Sequence, residues 1–504
     1  MAVEQLEASR SLSLPQSGLK DRGLAGLRRL ALILIPCGVG ATALFVYVQT
    51  LLPSIGWGDI ARFQYLAQIW GIPHRFGYPL YIAISRLFGY LPLGDVAYRI
   101  NLMSAVFAAL AAVMVYFLVM RLANDWVAGV SAALAFAFSR AHWGQAVVAE
   151  VYSLNAFLIG AVLLSFLSWY QTRKLWLLYF SVGLYALSFG NHMTVVTLLP
   201  AVVYLIVATD YRVLLDPKKL AILAGLVLLG ASQYLYVILR AQQQPLLNEL
   251  GPFSWGGWVH WMTRNRFPGQ FFGFGLGDQA DRLRIFLELV EKQFYRWGYI
   301  LGFVGAWERL RQDFRSFAFL ALAALGLYVF DMNYGGITFR TYLIPLYLIF
   351  AVFIGYGLAA LRARLAELLR GWPRPLAWTA MAGLAAVMLI IPLYPMRQNW
   401  ALVDESDNTY YRDQAWNFVN HVEPDFVLVE SETHYDNLEA ILYVAWAEKK
   451  WYLADTAVPG DIDAWLGRRP VYVWLGDPGI PEQYSLEAVP ELPGMGRITG
   501  LRAP

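Results

Sequence analysis

Charged residues are scarce in this sequence. Of its 504 residues, 15% are Asp, Glu, Lys or Arg, whereas 58% are hydrophobic, and the mean hydropathy is positive. Soluble domains carry about 25% charged residues, so this composition excludes a water-soluble domain of this length. The formal net charge is only +3, which gives no basis for a nucleic-acid partner. The composition places the chain in a lipid bilayer.

Cysteine is nearly absent. The single cysteine, Cys37, lies inside an apolar run, which excludes a disulfide framework and a cysteine-based metal site. Residues 1–29 are polar and basic, and the apolar run that follows them, 30–52, is too long for the core of a signal peptide and lacks a small-residue cleavage site. We therefore expect a cytoplasmic N-terminus followed by an uncleaved first span.

Long apolar runs predict an α-helical polytopic membrane protein of the plasma (inner) membrane with about eleven transmembrane helices. A helix needs about 20 apolar residues to cross a bilayer. The candidate runs are 30–52, 98–120, 126–142, 151–170, 175–189, 192–209, 219–239, 295–308, 316–331, 340–361 and 376–394. With this count, Lys and Arg of the short loops collect on one side, which the positive-inside rule assigns to the cytoplasm. The large loops at 53–97 and 240–294 and everything after residue 394 then lie outside.

The first external loop contains two apolar segments that we do not count as spans. Ile60, Phe63 and Leu66 recur at helical spacing with polar residues between them, which predicts an amphipathic helix lying in the membrane surface. The stretch 78–92 is short and contains Arg86, so we interpret it as a second surface helix.

The C-terminal part, 395–504, has a different character because charged residues become frequent. Segments 425–430 and 470–475 have the composition of short buried strands. Between them, 436–450 has helical periodicity with Asp436 as an N-cap. We expect a small α/β domain tethered outside the membrane domain, which spans 30–394.

Ionisable residues are nearly absent from the interiors of the predicted spans. Transporters place such residues near the bilayer midplane to bind substrates and ions, whereas here Asp59, Glu150 and His192 lie at outer span ends or in outer loops. A site at that surface can act on a substrate whose lipid tail stays in the bilayer. The distribution favours an enzyme, and a transporter or flippase of lipid-linked glycans is the alternative.

Several segments resemble one family. They are GWGD at 56–59, GIPHRFGYPLY at 71–81, YRINLM at 98–103, WGQAVVAEVYSLN at 143–155, SFGNHMT at 188–194 and FRTYLIPLY at 339–347. Together they resemble a family of multi-span proteins, long catalogued as a domain of unknown function, that is related to the protein O-mannosyltransferases of the GT-C glycosyltransferase superfamily. One departure is His74-Arg75-Phe76, where related sequences tend to have consecutive prolines after the histidine.

The resemblance implies a GT-C fold and a glycosyltransferase that uses a polyprenyl-phosphate sugar donor. It also implies transfer on the non-cytoplasmic side to a protein or glycan acceptor, with an acidic residue of the first external loop as catalytic base. That residue is Asp59. Direct displacement of a sugar from a phosphate needs a base but no general acid, because a phosphate leaves without protonation. Asp59 also follows Gly58 before a periodic helix, so it could be merely an N-cap, and both roles stay open.

The other candidate residues each have a functional and a structural interpretation. Glu150 could face Asp59 and hold a divalent cation such as Mg²⁺ or Mn²⁺, or orient the acceptor, or it could be a solvated residue at a span end. The remaining candidates for binding the donor phosphate or the acceptor are His74, Tyr78, His192, Arg264, Arg266 and Arg340. Arginine suits a phosphate because of its planar fork, but lone histidines are often packing residues, and arginines at this depth often contact lipid headgroups.

Overall fold

The computed structural model describes residues 17–263, 272–335 and 339–502, which are mostly helical. The helices of the membrane part are α1 (Ser17–Gln49), α2 (Gly58–Ile69), α3 (Pro79–Phe88), α4 (Val96–Ala123), α5 (Trp126–Ala137), α6 (Arg140–Ala146), α7 (Val151–Thr172), α8 (Leu175–Ser188), α9 (Leu199–Asp210), α10 (Pro217–Ala231), α11 (Leu235–Gln242), α12 (Trp255–Thr263), α13 (Gln279–Gln312), α14 (Phe314–Asp331), α15 (Phe339–Tyr342), α16 (Ile344–Leu368), α17 (Arg374–Ile390) and α18 (Leu393–Val403).

Eight helical segments of the described chain are long and apolar enough to cross a bilayer. They are Leu30–Gln49, Val96–Ala123, Val151–Thr172, Met193–Leu214, Pro217–Gln242, Phe314–Asp331, Ile344–Leu368 and Arg374–Val403. The other three predicted spans fall on α5 and α8, which are apolar but shorter, and on the second half of α13. Helix α13 breaks at Tyr295, whose φ is 58°, and this is where the predicted span begins. The protein is a multi-pass integral membrane protein.

The centre of the membrane bundle is α4, which packs against α1, α5 and α7. Helices α13 and α16 cross closely, with glycines at the crossing. A Cβ atom on Gly305 would overlap the carbonyl oxygen of Phe353, and one on Gly357 would overlap that of Leu301. The two backbones touch at this crossing, so glycine is required there for steric reasons.

The C-terminal domain contains a five-stranded sheet and two further α-helices. Its elements are α19 (Tyr410–Asn420), β1 (Val427–Val429), α20 (Tyr435–Leu442), β2 (Asp455–Ala457), β3 (Val471–Trp474), β4 (Tyr484–Ala488) and β5 (Met495–Leu501). The strand order is β2-β1-β3-β5-β4. Strand β1 is parallel to β2 and β3, whereas β5 is antiparallel to β3 and β4.

Sequence analysis predicted two of the five strands and one of the two α-helices of this domain. The two predicted strands are confirmed as β1 and β3. The predicted N-cap is wrong by two residues: His434 rather than Asp436 stands at the N-cap position. The helix continues as a π-helical turn over Tyr443–Glu448. The wider turn accommodates Trp446, whose indole N–H donates to the carbonyl of Ala454 at 3.0 Å.

Helix α2 is not the membrane-surface helix that its amphipathic pattern predicted. It is buried on nearly every side, because α20 packs on it from the C-terminal domain and α4 packs on it from the bundle. Its polar side chains have partners inside the protein: Gln64 donates to Asn101 at 2.9 Å, and Arg62 pairs with Glu439 at 2.6 Å. Buried polar groups need such partners, so the polar positions of α2 mark an internal interface.

Candidate functional site

Asp59 lies in the first turn of α2 with its side chain exposed. Trp57 occupies the N-cap position, so Asp59 is not the cap that the sequence left open. Its Oδ1 atom accepts a hydrogen bond from the Tyr435 hydroxyl at 2.9 Å. A carboxylate near a helix N-terminus is stabilised by the helix dipole. The result is an accessible carboxylate, held at one oxygen, at the junction of the membrane part and the C-terminal domain.

Tyr78 is the centre of a polar and aromatic cluster behind Asp59. Its hydroxyl lies 3.0 Å from Nε2 of His74, and its ring packs edge-on against Phe63 at 5.5 Å between centroids. Tyr78 follows a turn in which Phe76, Gly77 and Tyr78 all have positive φ values, 80°, 69° and 44°. This sharp turn places His74 and Tyr78 side by side.

His192 joins the same cluster from the other side. It stands just before the 3₁₀ turn that leads into α9, and its ring lies 6.2 Å from that of Tyr78. The rings of Tyr152 and Tyr342 lie 5.9 Å and 5.4 Å from it. Burial, assisted by the nearby His74, lowers the pKa of His192 to about 4. The imidazole is therefore neutral at neutral pH and can serve as a hydrogen-bonding group rather than a cation.

Glu150 caps α7 and is electrostatically coupled to Asp59. Its carboxylate accepts from the backbone N–H of Val151 at 3.3 Å. Burial raises the pKa of Glu150 well above its ordinary value, and the negative charge of Asp59 raises it further. Burial also raises the pKa of Tyr78, with contributions from Tyr342, Asp59 and Glu150. The structure thus brings Asp59, Glu150 and Tyr78 into one region, in which burial and the charge of Asp59 favour the protonated form of Glu150.

A large cavity of about 1490 Å³ lies beside this cluster. Its wall includes Thr341, and the next residue, Tyr342, packs against His192. Neither Asp59 nor Glu150 lines the cavity. Its charged lining residues are Arg140, Lys292, Arg296, Arg340, Glu288, Glu291 and Glu405. The predicted Arg340 is therefore at the cavity, whereas Arg264 and Arg266 fall outside the described residues.

Metal binding was predicted for Glu150 and Asp59 as one of two roles. In the part of the chain that the structure describes, no three His, Cys, Asp or Glu side chains are grouped so that they could hold a metal ion. The divalent cation stays a prediction without further support.

The residues that the sequence did not reveal lie on α20. Tyr435 bonds to Asp59 across 376 positions of sequence, and Asp436 lies beside it. Burial raises the pKa of Asp436, and the charge of Asp59 raises it further. No sequence motif identifies α20 as part of the site, because its contact with Asp59 forms only when the C-terminal domain docks on α2. Tyr342 could have been found, since it lies in the FRTYLIPLY segment.

Comparison with known proteins gives a family for part of the chain. Residues 59–215 match the model described as Protein O-mannosyl-transferase TMEM260 N-terminal domain. Protein O-mannosyl-transferase TMEM260 from Mus musculus is 36% identical over 126 residues, which are 25% of this chain and 18% of the mouse protein. The Dictyostelium discoideum protein of that name is 25% identical over 319 residues, 57% of this chain and 37% of its own length. The chain thus matches less than half the length of these relatives.

Solved structures share the fold over most of the chain. ArnT from Cupriavidus metallidurans bound to undecaprenyl phosphate has a TM-score of 0.61 at 13% identity and covers 91% of this chain and 96% of its own. The oligosaccharyltransferase of Archaeoglobus fulgidus has a TM-score of 0.51 at 12% identity, covering 86% of this chain and 68% of its own. At these identities the likeness is one of fold. The chain is a multi-pass membrane protein of the GT-C fold, and its residues 59–215 are similar to the N-terminal domain of the TMEM260 protein O-mannosyl-transferases.

Proposed function

We propose that this protein is a glycosyltransferase that moves a sugar from a polyprenyl-phosphate donor to a protein hydroxyl on the non-cytoplasmic side of the membrane, with Asp59 as general base. The observation that carries the proposal is the setting of Asp59. Its carboxylate is exposed, and its negative charge raises the pKa values of Glu150 and Tyr78, which lie in the same region.

The chemistry needs one base. The acceptor oxygen attacks the anomeric carbon, Asp59 takes the hydroxyl proton, and the bond from the anomeric carbon to the phosphate oxygen breaks. The polyprenyl phosphate departs as an anion with the bonding electron pair and needs no proton from the enzyme. A single displacement of this kind inverts the anomeric configuration. Burial and the charge of Asp59 raise the pKa of Glu150 and so favour its protonated form, which suits Glu150 to donating a hydrogen bond to the sugar or the acceptor rather than to a second base role.

The cavity beside the cluster suits the donor. Arg140, Lys292, Arg296 and Arg340 give it four cationic side chains, and arginine and lysine are the usual partners of phosphate oxygens. Arg340 is two residues from Tyr342, which touches His192. A phosphate held by Arg340 would present its sugar toward the cluster, where His74, Tyr78 and His192 offer hydrogen bonds. The ArnT structure that shares the fold holds undecaprenyl phosphate, which is consistent with a polyprenyl carrier.

The acceptor and the orientation rest on separate arguments. The curated relatives are named protein O-mannosyl-transferases, which favours a protein serine or threonine as acceptor and mannose as the sugar. The basic residues of the short loops favour a cytoplasmic N-terminus, which puts Asp59 and the C-terminal domain outside.

The experiment replaces Asp59 with asparagine in protein reconstituted into lipid nanodiscs. Transfer is measured from radiolabelled polyprenyl-phosphate mannose to a serine- and threonine-containing peptide, and donor binding is measured beside it. Asp59→Asn keeps the size of the side chain but removes the base, so we expect donor binding to persist and turnover to fall on the order of a hundredfold or more.

Asp413→Asn is the matched control. Asp413 is also an exposed aspartate in the first turn of a helix, α19, but it bonds to Thr409 and Arg412. The Asp413→Asn protein should therefore transfer sugar at the wild-type rate. Near-normal transfer by Asp59→Asn would remove Asp59 as the base. If the wild-type protein moves a lipid-linked glycan across the bilayer without transferring sugar, the flippase alternative replaces the enzyme.

A further inference from the structure

The C-terminal domain contacts Asp59 through Tyr435, the first residue of α20. The Tyr435 hydroxyl donates to Asp59 Oδ1 at 2.9 Å, which is within the ordinary range of an O–H···O hydrogen bond. The other carboxylate oxygen, Oδ2, has no hydrogen bond within the described residues, and the Asp59 side chain is exposed. One oxygen is therefore held by the protein and the other is available to an incoming hydroxyl.

The ring of Tyr435 is fixed from two sides. The guanidinium carbon of Arg62 lies 5.4 Å from the ring centroid, within the range of a cation–π contact. Arg62 is itself held by Glu439 on the next turn of α20, at 2.6 Å. Tyr435 is therefore anchored by the same buried ion pair that docks its domain on α2.

On the other side, the backbone of Gly58, the residue before Asp59, lies close to the first turn of α20. Gly58 has a φ of +45°, and a Cβ atom at this position would lie 2.6 Å from Oδ1 of Asp436 and 3.3 Å from the Tyr435 ring. The positive φ favours glycine at this position. An added side chain would require the Asp436 carboxylate to rotate away and would press on the Tyr435 ring.

We propose that Tyr435 is a positioning residue for sugar transfer: it holds the Asp59 carboxylate through Oδ1 so that Oδ2 faces the acceptor hydroxyl. The C-terminal domain is then a part of the active site. This inference rests on the proposed function, because it assigns to Tyr435 the orientation of the base. Small errors in the placement of a catalytic group cost large factors in rate, so a domain docked at this point controls turnover without touching the donor.

The test is Tyr435→Phe, which removes one hydroxyl and keeps the ring. We expect kcat to fall roughly tenfold to a hundredfold, the scale of a lost hydrogen bond to a charged group, while KM for the polyprenyl-phosphate sugar stays within about twofold. The matched control is Tyr484→Phe. Tyr484 also donates to a carboxylate of the C-terminal domain, Asp463, at 2.8 Å, but it lies on β4, away from Asp59. This variant should keep the wild-type kcat.

A double-mutant cycle separates positioning from general weakening of the fold. In the Asp59→Asn protein, Tyr435→Phe should cause no further loss, because there is no carboxylate base left to orient. A merely structural role would lower the residual rate by the same factor in both backgrounds. Equal factors would overturn the inference.

Gly58→Ala is a second variant that leaves every hydrogen-bonding group in place. Because its methyl group meets the Tyr435 ring and the backbone φ at this position is positive, it should shift Tyr435 relative to Asp59. We expect kcat to fall with KM for the donor nearly unchanged, in a protein that gel filtration shows to be folded. Loss of transfer in Asp59→Asn together with normal kcat in Tyr435→Phe would overturn this inference and leave the proposed function standing. Normal transfer in Asp59→Asn would overturn both.

Discussion

The buried ion pair between Arg62 and Glu439 determines how firmly the C-terminal domain is docked. The Glu439 side chain is 2% exposed and that of Arg62 is 11% exposed. Nη2 and Nε of Arg62 donate to the same carboxylate oxygen at 2.6 Å and 3.1 Å, and the Tyr65 hydroxyl donates to the other oxygen at 2.7 Å. Replacing Arg62 with methionine would leave a buried carboxylate without its cation. Breaking such a pair on one side costs about 3–5 kcal/mol.

This cost falls on the interface between α2 and α20. Arg62 also pairs with Glu249, but that side chain is 24% exposed, so its loss adds little, less than about 1 kcal/mol. A loss of 3 kcal/mol raises the undocked population by more than roughly a hundredfold. Limited proteolysis of the protein in nanodiscs, followed by the rate at which the C-terminal domain is released, measures this population. We expect Arg62→Met to release the domain at least tenfold faster than the wild-type protein.

The double variant Arg62→Met/Glu439→Leu tests the cause. Removing both charges also removes the uncompensated carboxylate, so we expect it to recover more than half of the lost protection, although Tyr65 then lacks its acceptor. If Arg62→Met is cut as slowly as the wild-type protein, the pair does not hold the domain. If the double variant is cut faster than Arg62→Met alone, desolvation of Glu439 is not the reason.

Two further predictions concern acid sensitivity and helix packing. The pKa of His192 is about 4 in the folded protein and about 6.5 in an unfolded chain, so the unfolded state takes up the proton first as pH falls. The stabilisation by neutral His192 is present above about pH 6.5 and is lost between pH 6.5 and pH 4, by roughly 3 kcal/mol. The melting temperature should therefore decrease less over this pH range in His192→Gln than in the wild-type protein. Equal decreases in melting temperature would contradict the assignment. At the crossing of α13 and α16, Gly305→Val should lower the melting temperature by several degrees, because overpacking costs about 1–3 kcal/mol. The control Gly383→Ala changes a position with open space around it and should leave the melting temperature unchanged. A normal melting temperature for Gly305→Val would refute the close crossing.

The sequence alone determined much of the membrane part. Apolar length identified α4, α7 and α16 because a bilayer requires about 20 apolar residues per helix, and that signal does not depend on the neighbours of the helix. It was weaker for α13, whose first half is charged and whose break at Tyr295 has no sequence signature. The motifs also identified Asp59, His74, Tyr78, Glu150 and His192 as candidates before any geometry was known, although they could not state the distances between them.

Tertiary structure alone decided what surrounds Asp59. The pattern of α2 is the same whether its polar residues face water or a partner, so amphipathicity predicted a membrane-surface helix and missed the docking of α20. The carboxylate's hydrogen bond to Tyr435 spans 376 positions, and no local periodicity carries information over that distance. The raised pKa of Glu150 likewise follows from burial and from the charge of Asp59. The docking of α20, the hydrogen bond to Tyr435 and the pKa of Glu150 each depend on which groups the fold brings within a few ångströms. Desolvation and Coulomb interactions act through space and not along the chain.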